Sequence, residues 1–172
     1  MTVSRETFTW KYVDSVDPIA IKELQDTVRN SLPSNTHFFQ GLEFLNVKTF
    51  MGLPVQRLVL IQIEPYRNGV IHVDERFNNN VLALNLPLDN CENSYTEIWE
   101  SSAPLEIRYT INKVPYNYID KTKCKMIDRF TLDKPVMFRT DHPHSANNIK
   151  NSKLRRALSI RFEVDPWDMV GL

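Results

Sequence analysis

Three short segments, far apart in the sequence, carry side chains that could bind one metal ion and a carboxylate. They are His72-Val73-Asp74, Pro143-His144 and the run from Leu154 to Ser159, and they supply two imidazoles, a carboxylate and a guanidinium. Two imidazoles and one carboxylate occupy one face of an octahedral ferrous ion and leave three positions open. A nearby arginine can hold a carboxylate through two parallel hydrogen bonds. Such a set suits the binding of iron and a keto-acid cosubstrate.

The histidines differ in how well their positions suit a metal site. His72 and Asp74 are two residues apart on a predicted strand, so both side chains project to the same face. A His-x-Asp pair also occurs on the polar face of ordinary surface strands, and that alternative stays open. The third ligand would be His144 or its neighbour His142, both in a loop after another predicted strand. His37 has no matching partner and is predicted to be a surface or loop residue.

Two adjacent arginines could hold the carboxylate of a cosubstrate. Arg155 shares one face of a predicted strand with Ala157 and Ser159, and this small-lined face could admit a dicarboxylate. Arg155 would then hold the distal carboxylate, and Ser159 could add a hydrogen bond. Arg156 lies on the opposite, apolar face, where a long side chain can reach solvent from the edge of a core. Both arginines remain candidates, because strand register is only an inference from sequence.

Two predicted strands have one apolar face and one small or polar face. In residues 81–88 every second residue is leucine, and Asn85 lies on the opposite face. Residues 155–162 repeat this alternation, with Leu158, Ile160 and Phe162 on the apolar face. Such strands predict a sandwich whose interior is partly a pocket.

The remaining elements are mostly short strands. Asp17-Pro18 predicts a helix start, and Ile21, Leu24 and Val28 fall on one helical face. Residues 55–64 predict a buried strand and residues 70–74 a short one, whereas residues 95–133 are harder to interpret. We therefore expect a single, mainly β domain over residues 1–172. Its architecture would be a jelly-roll with peripheral helices, including one near the N-terminus.

Composition excludes some functional classes. The chain has 21 basic and 21 acidic residues and a formal net charge of zero, so nucleic-acid binding is not favoured. Cys91 and Cys124 have no metal-ligand spacing, which is typical of a reduced protein. No apolar run reaches the ~18 residues of a membrane span, and the N-terminus has no apolar signal core. We expect a soluble, cytoplasmic protein that does not bind membranes.

Four segments in order resemble the 2-oxoglutarate/Fe(II)-dependent dioxygenase superfamily, in particular its small single-domain prokaryotic and phage-type members. LVLIQIEPYRNGVIHVD resembles that family's strand, turn and His-x-Asp, and VLALNLPL resembles the strand after it. PVMFRTDHPHSANN resembles the distal-histidine region, and RRALSIRF resembles the cosubstrate-binding strand. The resemblance spans residues 58–162 within a motif-bearing core of about 55–165. Residues 1–50 and 95–133 match no motif, and such regions often form a substrate lid.

The resemblance implies a fold, cofactors and site residues. The fold would be a double-stranded β-helix, with Fe(II) on His72, Asp74 and His144. The resemblance favours His144 over His142 as the third ligand. It also implies that 2-oxoglutarate binds to Arg155, with Asn85 as a weaker contact. The doubled arginine, Arg155-Arg156, leaves the family's arginine ambiguous in this chain.

The implied activity is hydroxylation of a substrate C–H bond with formation of succinate and carbon dioxide. The substrate would be a small molecule or a peptide. Tyr66, Arg67 and Arg76 flank the first motif and could lie at the pocket mouth, or they could be solvated loop residues. A non-enzymatic jelly-roll domain and a metal-binding cupin-like protein that does not use 2-oxoglutarate are the alternatives.

Overall fold

Two antiparallel sheets form the protein, as seen in a computed structural model that describes residues 4, 6–32, 39–74, 80–111 and 113–170. The strands are β1 Trp10–Tyr12, β2 Phe39–Gly41, β3 Thr49–Phe50, β4 Leu53–Ile63, β5 His72–Val73, β6 Leu82–Asp89, β7 Tyr95–Ser101, β8 Glu106–Tyr109, β9 Pro115–Tyr118, β10 Cys124–Thr131, β11 Val136–Arg139, β12 His144–Asn147 and β13 Arg155–Phe162. One sheet has the order β1-β11-β6-β13-β4-β2, with β3 paired to β4. The other has the order β10-β7-β12-β5-β9-β8. The predicted jelly-roll is confirmed. His37 and Arg76 lie outside the described residues.

The helix α1 spans Pro18–Ser31 and begins where the sequence predicts. The Asp17 carboxylate accepts a hydrogen bond from the Ile19 backbone N–H at 2.9 Å, which satisfies one of the otherwise unpaired N–H groups of the first turn. Pro18 follows at the first helical position, where its missing N–H costs nothing. Leu24 and Val28 are buried against the sheet, so the helix covers the outer side of the apolar core.

The apolar core lies on the leucine face of β6. Leu82, Leu84, Leu86 and Leu88 are all buried there. The neighbouring strand β13 adds Leu158, Ile160 and Phe162 to the same core. Because side chains alternate along a strand, the other faces of β6 and β13 point to the opposite side of the sheet. The predicted division between an apolar and a small or polar face is confirmed on both strands.

The stretch that was hard to interpret from the sequence, apart from a strand-like apolar run at about 105–111, builds much of the second sheet. Among the described strands of that sheet, β7, β8, β9 and β10 all come from residues 95–131. Ile98 on β7 is fully buried and Phe130 on β10 nearly so. These residues therefore form structural strands as well as loops.

Two findings concern the cysteines and the membrane. Cys91 is buried, Cys124 is partly buried, and both are free thiols. Among the described residues, no helix combines the length and apolarity that crossing a lipid bilayer requires.

Replacing Leu158 tests the role of the core face. Its side chain is fully buried between β4 and β6, so Leu158→Ala should lower the free energy of unfolding by about 3 kcal/mol. Ile19→Ala removes a side chain that is 67% exposed and should cost less than about 0.5 kcal/mol. Urea denaturation of both variants measures the difference, and equal costs would contradict this account of the core.

Candidate metal centre and its cavity

Pairing of β5 with β12 brings the three predicted metal ligands together. His144 lies directly opposite His72 in this antiparallel pair, although the two are far apart in sequence. Asp74 follows β5 by one residue, and its carboxylate lies beside both rings. One ligand atom from each of the three residues lies within 4.8 Å of the others, so the three could hold one metal ion.

Both histidines present Nε2 to the cluster. His72 Nδ1 lies 3.0 Å from the Val70 carbonyl oxygen, and His144 Nδ1 lies 2.9 Å from that of His142. A carbonyl only accepts, so each Nδ1 carries a proton, and Nε2 is the ring nitrogen of each histidine that could bind a metal ion. The Nε2 atoms of His72 and His144 lie 3.3 Å and 3.8 Å from oxygens of Asp74. His142 thus contributes its main-chain carbonyl, and its ring is outside the cluster.

Arg161 is a member of the site that the sequence analysis did not single out. Its guanidinium is buried and donates to Asp74 Oδ2 and, at 2.6 Å, to Thr140 Oγ1. Burial alone would raise the pKa of Asp74, but Arg161 and the two histidines hold that pKa far below its usual range. The signal was present in the sequence, because Arg161 lies on the same face of β13 as Arg155 and Ser159.

The two histidines have pKa values shifted in opposite directions. Burial and the neighbouring His72 lower the pKa of His144 to about 4, so this imidazole is neutral at pH 7. Burial also disfavours the charged form of His72, but the hydrogen bond and charge of Asp74 outweigh it and raise the pKa. The neutral His144 ring has its Nε2 lone pair ready for a metal ion.

Arg155 is a buried cation without an acidic partner. Only 2% of the residue is exposed, and its Nε donates to Ser94 Oγ at 2.8 Å. None of the acidic side chains in the described part of the chain forms an ion pair with it. Burying an uncompensated charge is unfavourable, so an anion from outside the chain would complete this site.

A single cavity of about 470 Å³ joins Arg155 to the metal-ligand cluster. Ser159 and Asn85 also line it, and the buried Asn85 Oδ1 has no hydrogen-bond partner among the described residues. Its further lining residues include Phe39, Arg57, Val59, Ile61, Gly69, Thr96, Lys113, Val114, Pro115, Tyr116, Phe138, Ala146, Ala157 and Arg161. The cavity therefore has the possible metal ligands at one end, the buried guanidinium of Arg155 at the other, and room between them.

Arg156 lies on the other side of β13, away from the cavity. Its Nε donates to Gln62 Oε1 at 3.0 Å, and its Nη1 lies 3.3 Å from Asp89 Oδ2. Adjacent residues of a strand point to opposite faces, so Arg155 and Arg156 cannot serve the same site. This placement corrects the inclusion of Arg156 among the cosubstrate-binding candidates.

Of the three residues that could lie at the pocket mouth, the described two, Tyr66 and Arg67, do not line the cavity. Tyr66 is 64% exposed, and neither it nor Arg67 is among the lining side chains. The cationic lining residues outside the metal and anion ends are Arg57 on β4 and Lys113 in the turn between β8 and β9. No sequence motif marks either residue, because only strand pairing brings them to the cavity.

Removing Arg161 should affect the metal-free protein more than the metal-bound one. In Arg161→Leu, the Asp74 carboxylate loses its buried counter-charge, which should lower the free energy of unfolding by about 3 kcal/mol. Saturating Co²⁺ should reduce this deficit, since a cation then lies beside the same carboxylate. Arg139→Leu breaks the ion pair with Asp141 outside the cavity and should show the same deficit with and without Co²⁺. A metal-independent deficit in Arg161→Leu would contradict this role.

Comparison with known proteins gives a match at the level of structure. No family model matches the sequence, and no curated protein matches it. AviO1 from Streptomyces viridochromogenes Tue57 is similar over 93% of this chain and 95% of that chain, with a TM-score of 0.54 and 14% identity.

Two further solved structures are similar to this chain to the same degree. The epimerase SnoN, crystallised with Fe3+, alpha ketoglutarate and nogalamycin RO, matches over 89% of this chain and 78% of that chain, with a TM-score of 0.55 and 13% identity. EvdO2 from Micromonospora carbonacea var. aurantiaca, complexed with 2-oxoglutarate, matches over 93% and 90%, with a TM-score of 0.54 and 13% identity. The chain thus shares its fold with these solved structures, of which SnoN was crystallised with alpha ketoglutarate and EvdO2 with 2-oxoglutarate.

Proposed function

We propose that this protein is an Fe(II)- and 2-oxoglutarate-dependent oxygenase. The observation that carries the proposal is the buried guanidinium of Arg155, which has no acidic partner in the described part of the chain and shares a cavity with His72, Asp74 and His144. A structural arginine in an apolar interior would be expected to have a carboxylate partner. An anion-binding group and a metal-ligand set facing one space fit a ligand that carries a carboxylate and also reaches the metal.

The donor set fits ferrous iron. Two imidazole nitrogens and one carboxylate are the ligands of non-heme Fe(II) oxygenase sites, and they leave coordination positions open. Arg161 bonds to Asp74 Oδ2, which leaves Oδ1, the oxygen nearer His72 Nε2, for the metal. The carbonyls of Val70 and His142 keep both rings in the tautomer that ligation requires.

The anion-binding end fits the distal carboxylate of 2-oxoglutarate. Arg155 would form charge-assisted hydrogen bonds to that carboxylate, while Ser94 holds its Nε and orients the guanidinium. Ser159 lies four residues further along β13 on the same face, and its hydroxyl could donate to the same ligand. Asn85, opposite Ser159 in the β6–β13 pair, could donate an Nδ2–H hydrogen bond to the same ligand.

When bound, iron and 2-oxoglutarate supply the oxidising chemistry with dioxygen, which would hydroxylate a substrate C–H bond and form succinate and carbon dioxide. The chain's own residues bind and orient these groups. The apolar walls, such as Phe138 against the His144 ring at 5.1 Å between centroids, limit the access of water. No side-chain general base is required for this reaction.

The substrate we propose is a small molecule or a peptide that carries an anionic group. The cavity volume of about 470 Å³ is in the range of small-ligand sites. Among the described lining residues, Asp74 is the acidic side chain and is already paired with Arg161. Lys113 adds positive charge, whereas Arg57 also pairs with the exposed Glu43 at 3.4 Å. Such an excess favours a negatively charged substrate.

Replacing each adjacent arginine tests the anion-binding end. Under anaerobic conditions, Fe(II) and 2-oxoglutarate should give a weak visible charge-transfer band with the wild-type protein. In Arg155→Leu, the apparent affinity for 2-oxoglutarate should fall at least about 30-fold, because the ligand's carboxylate loses its buried counter-charge. Arg156→Leu, the matched control from the opposite face, should keep near wild-type affinity. Titration of the band with 2-oxoglutarate measures both.

Other results of this titration would favour other functions. A band that survives Arg155→Leu but disappears in Arg156→Leu would contradict the proposed site. Iron binding without any response to 2-oxoglutarate would favour a cupin-like metal protein. Folded protein that binds no iron would favour a non-enzymatic jelly-roll domain.

Replacing histidines tests the metal ligands. His144→Ala and His72→Ala should each weaken Co²⁺ binding by at least about 100-fold, since each removes one of three protein ligands. His142→Ala should bind Co²⁺ nearly as well as the wild type, because only its main-chain carbonyl takes part. Isothermal titration calorimetry measures these affinities, and a loss confined to His142→Ala would overturn the assignment.

A further inference from the structure

The outer strand β8 has an exposed apolar face and a free edge. It ends the six-stranded sheet, and among the described residues only β9 pairs with it. Ile107 and Tyr109 alternate along it, Leu105 comes just before it, and the three residues are 69%, 66% and 52% exposed, respectively. An edge strand of this kind is a template for pairing with another chain.

At these apolar residues, the backbone N–H and C=O groups point away from β9 and have no partner strand among the described residues. The Thr110 N–H donates to the Val114 carbonyl at 2.9 Å, which marks a hydrogen-bonded pair between β8 and β9. Hydrogen-bonded and non-hydrogen-bonded pairs alternate in antiparallel strands, so the next pair, Tyr109 with Pro115, is a non-hydrogen-bonded one. The absence of a backbone N–H on Pro115 agrees with this assignment. The N–H and C=O groups of Ile107 and Tyr109, and by continuation Leu105, therefore point away from β9.

The sequence along this edge is complementary to itself. Residues 105–109 read Leu-Glu-Ile-Arg-Tyr. When two copies pair antiparallel about Ile107, Glu106 of each copy lies opposite Arg108 of the other. Leu105 then lies opposite Tyr109, and Ile107 opposite itself. Both ion pairs fall at non-hydrogen-bonded positions, where facing side chains are closest.

We propose that this protein forms a twofold dimer through β8, joining the six-stranded sheets of two copies into one. About six backbone hydrogen bonds would link the Leu105, Ile107 and Tyr109 positions, whose groups already point outward. Glu106 and Arg108 already pair within one chain at 2.9 Å, and both are exposed, so they can share their charges with a second copy. The apolar side chains on the opposite face would be covered together.

Dimerisation would also brace one wall of the cavity. The turn after β8 and the start of β9 contribute Lys113, Val114, Pro115 and Tyr116 to the cavity lining. Pairing of β8 with a second copy would restrict the motion of the β8–β9 hairpin. The self-association itself does not depend on the proposed enzymatic function.

Charge reversal tests the pairing register. Glu106→Arg and Arg108→Glu each place like charges opposite one another at two symmetric positions, so each should raise the dimer dissociation constant at least about tenfold. The double variant Glu106→Arg/Arg108→Glu is again self-complementary and should recover the wild-type value. An equimolar mixture of the two single variants should form heterodimers, because one edge is then wholly basic and the other acidic. Sedimentation equilibrium measures all four samples.

The controls exclude unfolding and a general charge effect. Lys134→Glu makes the same charge change as Arg108→Glu at an exposed ion pair with Asp14 and should leave dimerisation unchanged. Far-UV circular dichroism should show native sheet content in every variant. A wild-type protein that is monomeric up to about 1 mM would overturn the proposal. So would a dimer insensitive to both single reversals, or variants that fail to pair when mixed.

Discussion

The register of β13 is the constraint on which the rest of the structure depends. This strand lies between β4 and β6 and pairs with both over most of its length. Its apolar face builds the core with Leu158 and Ile160, while Arg155 and Ser159 face the cavity. A shift of one residue would exchange the two faces and bury the cavity-lining residues in the core. The hydrophobic effect that stabilises the fold thereby also directs Arg155 and Ser159 into the cavity.

The two halves of the candidate site come from different sheets. His72 and His144 belong to the six-stranded sheet, whereas Arg155 and Arg161 belong to β13 of the other. The interaction of Arg161 with Asp74 crosses between them and neutralises the carboxylate without a metal ion. A jelly-roll can build a site from both sheets, because the two sheets face one another across an interior that side chains need not fill completely.

Buried charge has different consequences at the two ends of the cavity. Arg161 is paired with Asp74, which offsets part of the cost of burying its charge. Arg155 has a hydroxyl partner at Ser94 but no carboxylate among the described residues, so its burial is unfavourable until an anion binds. Destabilised groups of this kind are typical of binding sites, where the ligand restores what the fold lacks.

Much of the fold could be predicted from local patterns. The Asp17-Pro18 helix start, the leucine face of β6 and the alternation along β13 all depend on residues close in sequence, and all three predictions are confirmed. The strands between 95 and 131 were not predicted in detail. Their polar, lysine-rich segments are exposed at the sheet edge, and only pairing with neighbouring strands defines them.

The sequence by itself determined which chemical groups exist and which face of each strand they occupy, because alternation is a property of a few adjacent residues. It therefore placed Arg155, Ser159 and Asn85 on the small or polar faces of their strands. Only the tertiary structure decided that His144 lies opposite His72, that Arg161 bonds to Asp74 and that Arg156 lies outside the cavity. These contacts join residues about 70 or more positions apart, and long-range pairing depends on the packing of the whole chain.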